Sequence, residues 1–374
     1  MRRPIHISVV GAGWIGRIHS EAFRRIPLTF DLEGYEIKLR SAADIDPSLA
    51  ESLSRKYGFE KWTTDWRPII EDKETDIIDI CTPNFLHKEI AIEAARHGKH
   101  IICEKPLATS PGDSREMVQE VEKAKVKHLV NFNYRRVPGI AYIKSLIEKG
   151  DLGKLFLIRA YTGLEFGLKI EATQTWRFDS SQSGGGSFVT QGSHVIDMVR
   201  YLFGEIEGIA ATTSSLPRNG GSSSKVEDQT ILTLKCENGA LGSIISTWLA
   251  HGRKHHFEFE INAEKASIFF NSERLNELQV AFGADEEPKQ GFRTIYIGQP
   301  HPYGSNFDLK TGMGIGIKET FVVQFYEFIR SIIENQKPTP NFYDGWLVDE
   351  VIEKAYLSAR SGQWEKIPKN SVTG

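Results

Sequence analysis

The chain has 374 residues, 40% hydrophobic and 25% charged, with a formal net charge of −3 at pH 7. That length favours two domains over a single core, and the weak charge gives no basis for nucleic-acid or anionic-membrane partners. Cys81, Cys103 and Cys236 are too far apart to make a metal-ligand pattern, so no metal is expected and reduced thiols fit a cytoplasmic protein. The run from the N-terminus straight into a strand leads us to expect no secretory leader, and no apolar run reaches bilayer length.

Strand and helix alternate through the first third. Ile5–Val10 is a β-rich run, followed by the glycine turn GAGWIG and a helix to about Ile26. A strand over Ile37–Asp44 precedes a helix that starts at Pro47 and stops at Gly58, a proline-in, glycine-out pattern. Buried-type strands over Asp76–Cys81 and Lys99–Cys103 flank a helix near Phe85–His97. A helix over about Ser110–Val126 then leads to the strand KHLVNF. This alternation predicts a doubly wound parallel sheet that binds ligands at the carboxyl ends of its strands.

Near Asn133 the pattern changes, which divides the chain into a nucleotide-binding domain at 1–132 and an α+β domain at 133–374. After a helix over Pro138–Lys149, the runs LFLIRAY, QTILTLKCENGALGSIISTW and HHFEFEINAEKASIFF read as strands joined by hairpins. They predict a large, mostly antiparallel open sheet, whose exposed face would serve a homodimer or homotetramer. Segments 213–225 and 283–291 are expected to be loops. Helices near Thr320–Glu334 and Gly345–Ser361 close the chain, with Phe321, Phe325 and Phe328 on a core face.

Gly11, Gly13 and Gly16 form G-x-G-x-x-G between a strand and a helix, with Trp14 and Ile15 inside the motif. The first glycine permits the turn, the second admits a pyrophosphate, and the third lets helix and strand pack closely. The anion would lie on the helix N-terminus. The ribose-binding acid usually follows by roughly 20 residues. Asp44 lies 28 beyond Gly16, an excess that the insertion PLTFDLEGYE accounts for. Asp44 would repel a 2′-phosphate and Ile45 offers it no cation, so NAD is expected over NADP. Asp46 is better placed to cap the helix at Pro47. In CEKPLA, Pro106 restricts Lys105 at a strand's carboxyl end, where a cofactor's reactive end belongs.

The blocks GAGWIG, CTPN with His87, CEKPL, NFNYR and GGG…GSHVID follow one another in the order seen in the Gfo/Idh/MocA oxidoreductases, which the whole chain resembles. WRFD and HPYG…GMGIG resemble the branch of levoglucosan- and sugar-dehydrogenase-like members. The resemblance implies hydride transfer between NAD and a secondary hydroxyl of a sugar, anhydrosugar or cyclitol. It makes Lys105 the donor to the reacting oxygen and His194 the general base. It implies cofactor contacts from Thr82, Pro83, Asn84, His87, Glu104 and Asn133. Tyr134, Trp176, Arg177, Thr190 and Asp197 are placed beside the substrate. Both catalytic roles make chemical sense: an imidazole titrates near working pH, and an ammonium stabilises a developing alkoxide.

One position departs from the family pattern. Most active members carry aspartate where this chain has Thr190, one helical turn before His194. A carboxylate there would orient the imidazole and favour its protonated form; a threonine supplies only a hydroxyl. Asp179, Glu165 and Glu171 are the other acids that could reach the histidine. Two further readings share the same motifs: a glycosidase that uses bound NAD, and a cofactor-bound regulator without turnover. The histidine-rich HGRKHH at 251–256 has no evident carboxylate or thiol in register and reads as a loop entering a strand.

Overall fold

The computed structural model describes residues 2–169, 174–216, 225–307, 310 and 313–368. The chain forms two compact units, one made of Met1–Arg136 with Gly316–Leu347 and the other of Val137–Ile315 with Val348–Gly374.

In the first unit, β1 (Arg3–Val10) leads to α1 (Trp14–Thr29), and β2 (Tyr35–Ala43) to α2 (Pro47–Tyr57). Next come β3 (Lys61–Thr63), α3 (Arg67–Glu71), β4 (Ile77–Ile80), α4 (His87–Arg96), β5 (His100–Cys103), α5 (Pro111–Ala124) and β6 (His128–Val130). All the strand pairs are parallel, in the order β3-β2-β1-β4-β5-β6. The strand order reverses direction at β1, whose neighbours are β2 and β4, so the crevice of a doubly wound sheet opens at its carboxyl end. Local chemistry sets the helix ends. Asp46 caps α2 by accepting from Ser48 N at 2.8 Å, and Gly58 ends it in the left-handed region at φ 70°. The insertion before β2 lengthens α1 through Pro27 to Thr29, and Asp31 accepts from Glu33 N in the turn that follows.

The second unit begins with α6 (Pro138–Glu148) and β7 (Leu155–Gly163), then α7 (Ser180–Ser183), α8 (Ser193–Phe203), β8 (Ile206–Ser214), β9 (Gln229–Cys236) and β10 (Leu241–Thr247). β11 (His256–Ala263), β12 (Ala266–Asn271), β13 (Glu277–Phe282) and β14 (Arg293–Tyr296) complete the run. The chain ends with α9 (Ile317–Ile333), α10 (Phe342–Ser361) and β15 (Glu365–Lys366). The sheet has nine strands in the order β14-β13-β12-β11-β7-β10-β9-β8-β15. It is antiparallel apart from the β7–β10 pair. Strict alternation of buried and outward residues along β9 gives the sheet one packed face. The other face carries exposed Leu157, Ile231 and Leu241.

The expected boundary at 133 needs one correction. α9 belongs to the first unit, because its apolar face completes the core over α1. Phe321, Val322, Phe325, Phe328 and Ile329 pack with Ile18, Phe23 and Ile26, and the Phe23 and Phe325 rings stack at 4.8 Å. Segment 283–291 contains a short 3₁₀ turn at Glu287–Lys289. Most of the expected loop 213–225, together with Glu171 and the start of GMGIG, lies outside the described residues.

Candidate functional site

The glycine turn after β1 is shaped to admit a ligand. Gly11 has φ +105°, and a side chain there would put its first carbon 2.5 Å from Cys81 O. At Gly16 the same carbon would meet Gly11 O at 1.9 Å, so that glycine is required for packing. Gly13 faces open space within 4 Å, and α1 starts there with no side-chain cap and no acid in its first turn. Its first N–H groups are therefore left for an anion.

Asp44 stands beside this turn. Ala12 N donates to its Oδ2 at 2.7 Å and Asp46 N to its Oδ1 at 3.0 Å. Ile45 is 90% exposed, and Trp14 is exposed as well. Beyond β4, Thr82 Oγ1 is buried and makes no hydrogen bond among the described residues, an orphan that a ribose hydroxyl would satisfy. Pro83 precedes a 3₁₀ turn at Asn84–Leu86, in which Asn84 is buried. These residues fit a dinucleotide with a free 2′-hydroxyl. Asp44→Ser with Ile45→Arg is therefore expected to raise NADP affinity relative to NAD at least about tenfold, which is ~1.4 kcal/mol. Fluorescence titration with both nucleotides checks it; NADP binding as tight as NAD by the unaltered chain would overturn the assignment.

Three expected cofactor contacts turn out to face inward. His87 places Nδ1 3.0 Å from Pro106 O and Nε2 3.0 Å from Thr82 O, tying the loop after β4 to the one after β5. Burial holds its imidazole below the usual range, so a neutral ring donates to one of these carbonyls. Glu104 is buried, with His19 Nε2 and Asn131 Nδ2 donating to its Oε1 and Lys105 N to its Oε2. Asn133 Nδ2 donates to Thr320 Oγ1 of α9 at 2.8 Å. Lys105 follows at the carboxyl edge, half-buried, before a cis bond to Pro106. Tyr134 is buried, and burial pushes its phenol above the ordinary range.

In the second unit, Gly185 and Gly186 seat the backbone against Tyr356 and Glu227, two residues that the sequence did not single out. A side chain at Gly185 would collide with Tyr356 Oη at 2.0 Å, and one at Gly186 with Glu227 O at 1.9 Å. Buried Glu227 accepts from Gly186 N at 2.7 Å, Phe188 N at 2.8 Å and Tyr356 Oη at 3.0 Å. Burial raises its carboxyl above the usual range against those donors. Thr190 lies in a π-helical turn, Phe188–Gly192, ahead of α8, which carries His194 and Asp197. Thr190 and His194 thus do not share a regular α-helix, a correction to the simple one-turn spacing. His194 and Asp197 are both buried.

Two of the alternative carboxylates for His194, Asp179 and Glu165, have partners of their own. Asp179 caps α7, accepting from Ser181 N at 3.0 Å and Gln182 Nε2 at 3.0 Å. Glu165 pairs with Lys254. Trp176 is half-buried under the Arg177 guanidinium, 4.4 Å from its ring centre. The histidine-rich segment does find acids: buried His256 lies 3.0 Å from Glu258 and 3.1 Å from Glu273, which also holds Arg253. The carboxylates come from β11 and the turn after β12, and Arg253 shares the second of them.

Residues 5–132 match the model of an oxidoreductase family with an NAD-binding Rossmann fold, and residues 140–269 match the GFO/IDH/MocA C-terminal domain. Levoglucosan dehydrogenase of Pseudarthrobacter phenanthrenivorans is 37% identical over 98% of this chain and 99% of its own. Myo-inositol 2-dehydrogenase of Thermotoga maritima is 26% identical over 97% of this chain and 99% of its own. A solved levoglucosan dehydrogenase in complex with NADH and levoglucosan superposes with a TM-score of 0.94 at 38% identity, covering 98% of this chain and 100% of that one. No described helix is long and apolar enough to cross a membrane. Matched along both domains and over the full length of a dehydrogenase relative, the chain belongs to the Gfo/Idh/MocA family and is an NAD-dependent oxidoreductase.

Proposed function

We propose that this chain oxidises a secondary hydroxyl of a pyranose, anhydrosugar or cyclitol, with anhydrosugars of the levoglucosan type the first class to test. The observation that carries the reading is topological. β1, β4 and β5 are consecutive parallel strands, so the glycine turn, the Thr82 loop and Lys105 follow one another along one sheet edge. That edge runs from the pyrophosphate position toward the end where hydride is exchanged.

Bound NAD supplies the hydride acceptor. In this reading the Lys105 ammonium donates to the substrate oxygen and stabilises the charge that builds as its proton leaves. The His194 imidazole takes that proton, and Tyr134, Trp176, Arg177, Thr190 and Asp197 shape the sugar's surroundings. The outer face of the nine-stranded sheet, with Leu157, Ile231 and Leu241, is the surface for a homodimer or homotetramer, which sedimentation of the intact chain reads.

The test is NADH formation across a panel of levoglucosan, other pyranoses and inositols. Release of an aglycone without net NADH would point to the glycosidase chemistry instead, and inertness toward every sugar to a regulator. Thr190→Asp probes the base. A carboxylate near His194 favours the imidazolium, so the acidic limb of kcat/KM is expected to move upward by on the order of one pH unit. A limb that stays in place would remove His194 from the role of base.

A further inference from the structure

Beneath the nucleotide turn lies a buried polar cluster that the proposed reaction does not use directly. Its centre is His19 on α1, three residues past Gly16 and fully buried. Nδ1 lies 3.0 Å from Asp79 Oδ2, at the end of β4, and Nε2 lies 3.1 Å from Glu104 Oε1, just beyond β5. Asn131 Nδ2 donates to the same Glu104 oxygen, and Gln324 of α9 donates to Asn131 Oδ1 at 2.6 Å. The Phe321 and Phe325 rings pack on the imidazole at 5.3 and 4.7 Å.

We propose that His19 is a positioning residue for Lys105: bridging Asp79 and Glu104, its ring fixes the Glu104 carboxylate and with it the Glu104–Lys105 turn. The inference rests on the assignment of Lys105 made above.

The chemistry of the bridge dictates its charge. A carboxylate only accepts hydrogen bonds, so each ring nitrogen must carry a proton for both contacts to hold. Burial is the largest single influence and works against that cation, but the charge and hydrogen bond of Asp79, together with the contributions of Cys81, outweigh it and hold the His19 imidazole well above its usual range. Burial likewise pushes the Glu104 carboxyl up, yet the His19 bond and charge hold it below its ordinary value. The remaining charge acting on Glu104 is the ammonium of Lys105. One imidazolium and one ammonium thus balance two carboxylates. Cys81, whose Sγ is 3.2 Å from Nδ1, stays a neutral thiol because burial and Asp79 push it up. The ligand atoms of His19, Asp79 and Cys81 are within 4.8 Å of one another, but protons already join these groups. The same helix therefore presents its N-terminus to the cofactor and, one turn later, a cation to the turn that carries Lys105.

The test uses His19→Gln alone and with Asp79→Asn in the full-length protein. Without the cation, two buried carboxylates face each other's field and Glu104 takes up a proton. Turnover should fall roughly 10- to 100-fold, the cost of a small displacement of a reacting group, with KM for NAD little changed. The acidic limb should rise, since Glu104 then ionises only at higher pH. Adding Asp79→Asn removes the competing charge and should recover most of the lost turnover. A double variant no better than the single one would reduce His19 to packing. A second measurement needs no variant and no cofactor: ¹⁵N-histidine resonances of the wild-type chain should show both His19 nitrogens still protonated at a pH where an ordinary imidazole is neutral. A neutral tautomer at that pH overturns the bridge. Near-normal turnover in Lys105→Ala would overturn the functional assignment, and the positioning role with it. The imidazolium resonance would then still report on the bridge itself, so the two failures read differently.

Discussion

Lys105→Ala is expected to lower turnover on the best sugar about 100-fold or more, the scale on which one preorganised donor stabilises a developing oxyanion. NAD affinity should change little, because the cradle is built from backbone at Gly11–Gly16 and from Asp44, none of which the substitution touches. Glu104 would also lose the nearby ammonium charge, but His19 and Asn131 continue to donate to it. The loss should therefore fall on kcat, with the fold intact by circular dichroism. Near-normal turnover in a folded, NAD-binding variant would make Lys105 a structural residue.

Removing the proposed base should cost as much or more. His194→Asn keeps a polar side chain on α8 but cannot titrate near neutrality, and turnover is expected to drop by roughly 100- to 10,000-fold. The acidic limb of the pH profile should disappear with it, which a merely damaged helix would not produce. Phe188 N and Gly186 N remain held by Glu227 in this variant, so the helix approach itself is preserved. Retention of the limb at reduced turnover would assign the titration to another group.

What could be read from the chain in advance was what local physics writes. The G-x-G-x-x-G turn is confined to one strand–turn–helix unit, and each glycine has its own steric reason. Asp44 follows directly on a strand, and Pro106 marks Lys105 by restricting its backbone. The parts that stayed hidden are those whose partners lie far along the chain. His19 meets Asp79, Glu104 and Asn131 across 60, 85 and 112 residues, and no spacing rule relates them. Its one available signal was a histidine on the buried face of the helix after the glycine turn. Glu227 reaches Gly186 from 41 residues away, so the glycines could be noticed but not what they make room for. Asp179 could be read as an acid within reach of His194 and is instead a helix cap, because Ser181 and Gln182 donate to it. β8 escaped notice because its small residues are half-exposed and lack clean alternation.

The place of α9 in the core of the first unit has a consequence for synthesis. A ribosome that has made residues 1–136 has delivered all six parallel strands, yet the outer face of α1 is still bare. Phe23 and Ile26 wait for Phe325 and its neighbours, which are translated only after the strands β7 to β14 have already emerged. The cofactor-binding half is thus the first begun and cannot be the first finished. A gene fragment cut after residue 136 would leave the apolar outer face of α1 uncovered, and any such dissection has to carry 316–347 along with it.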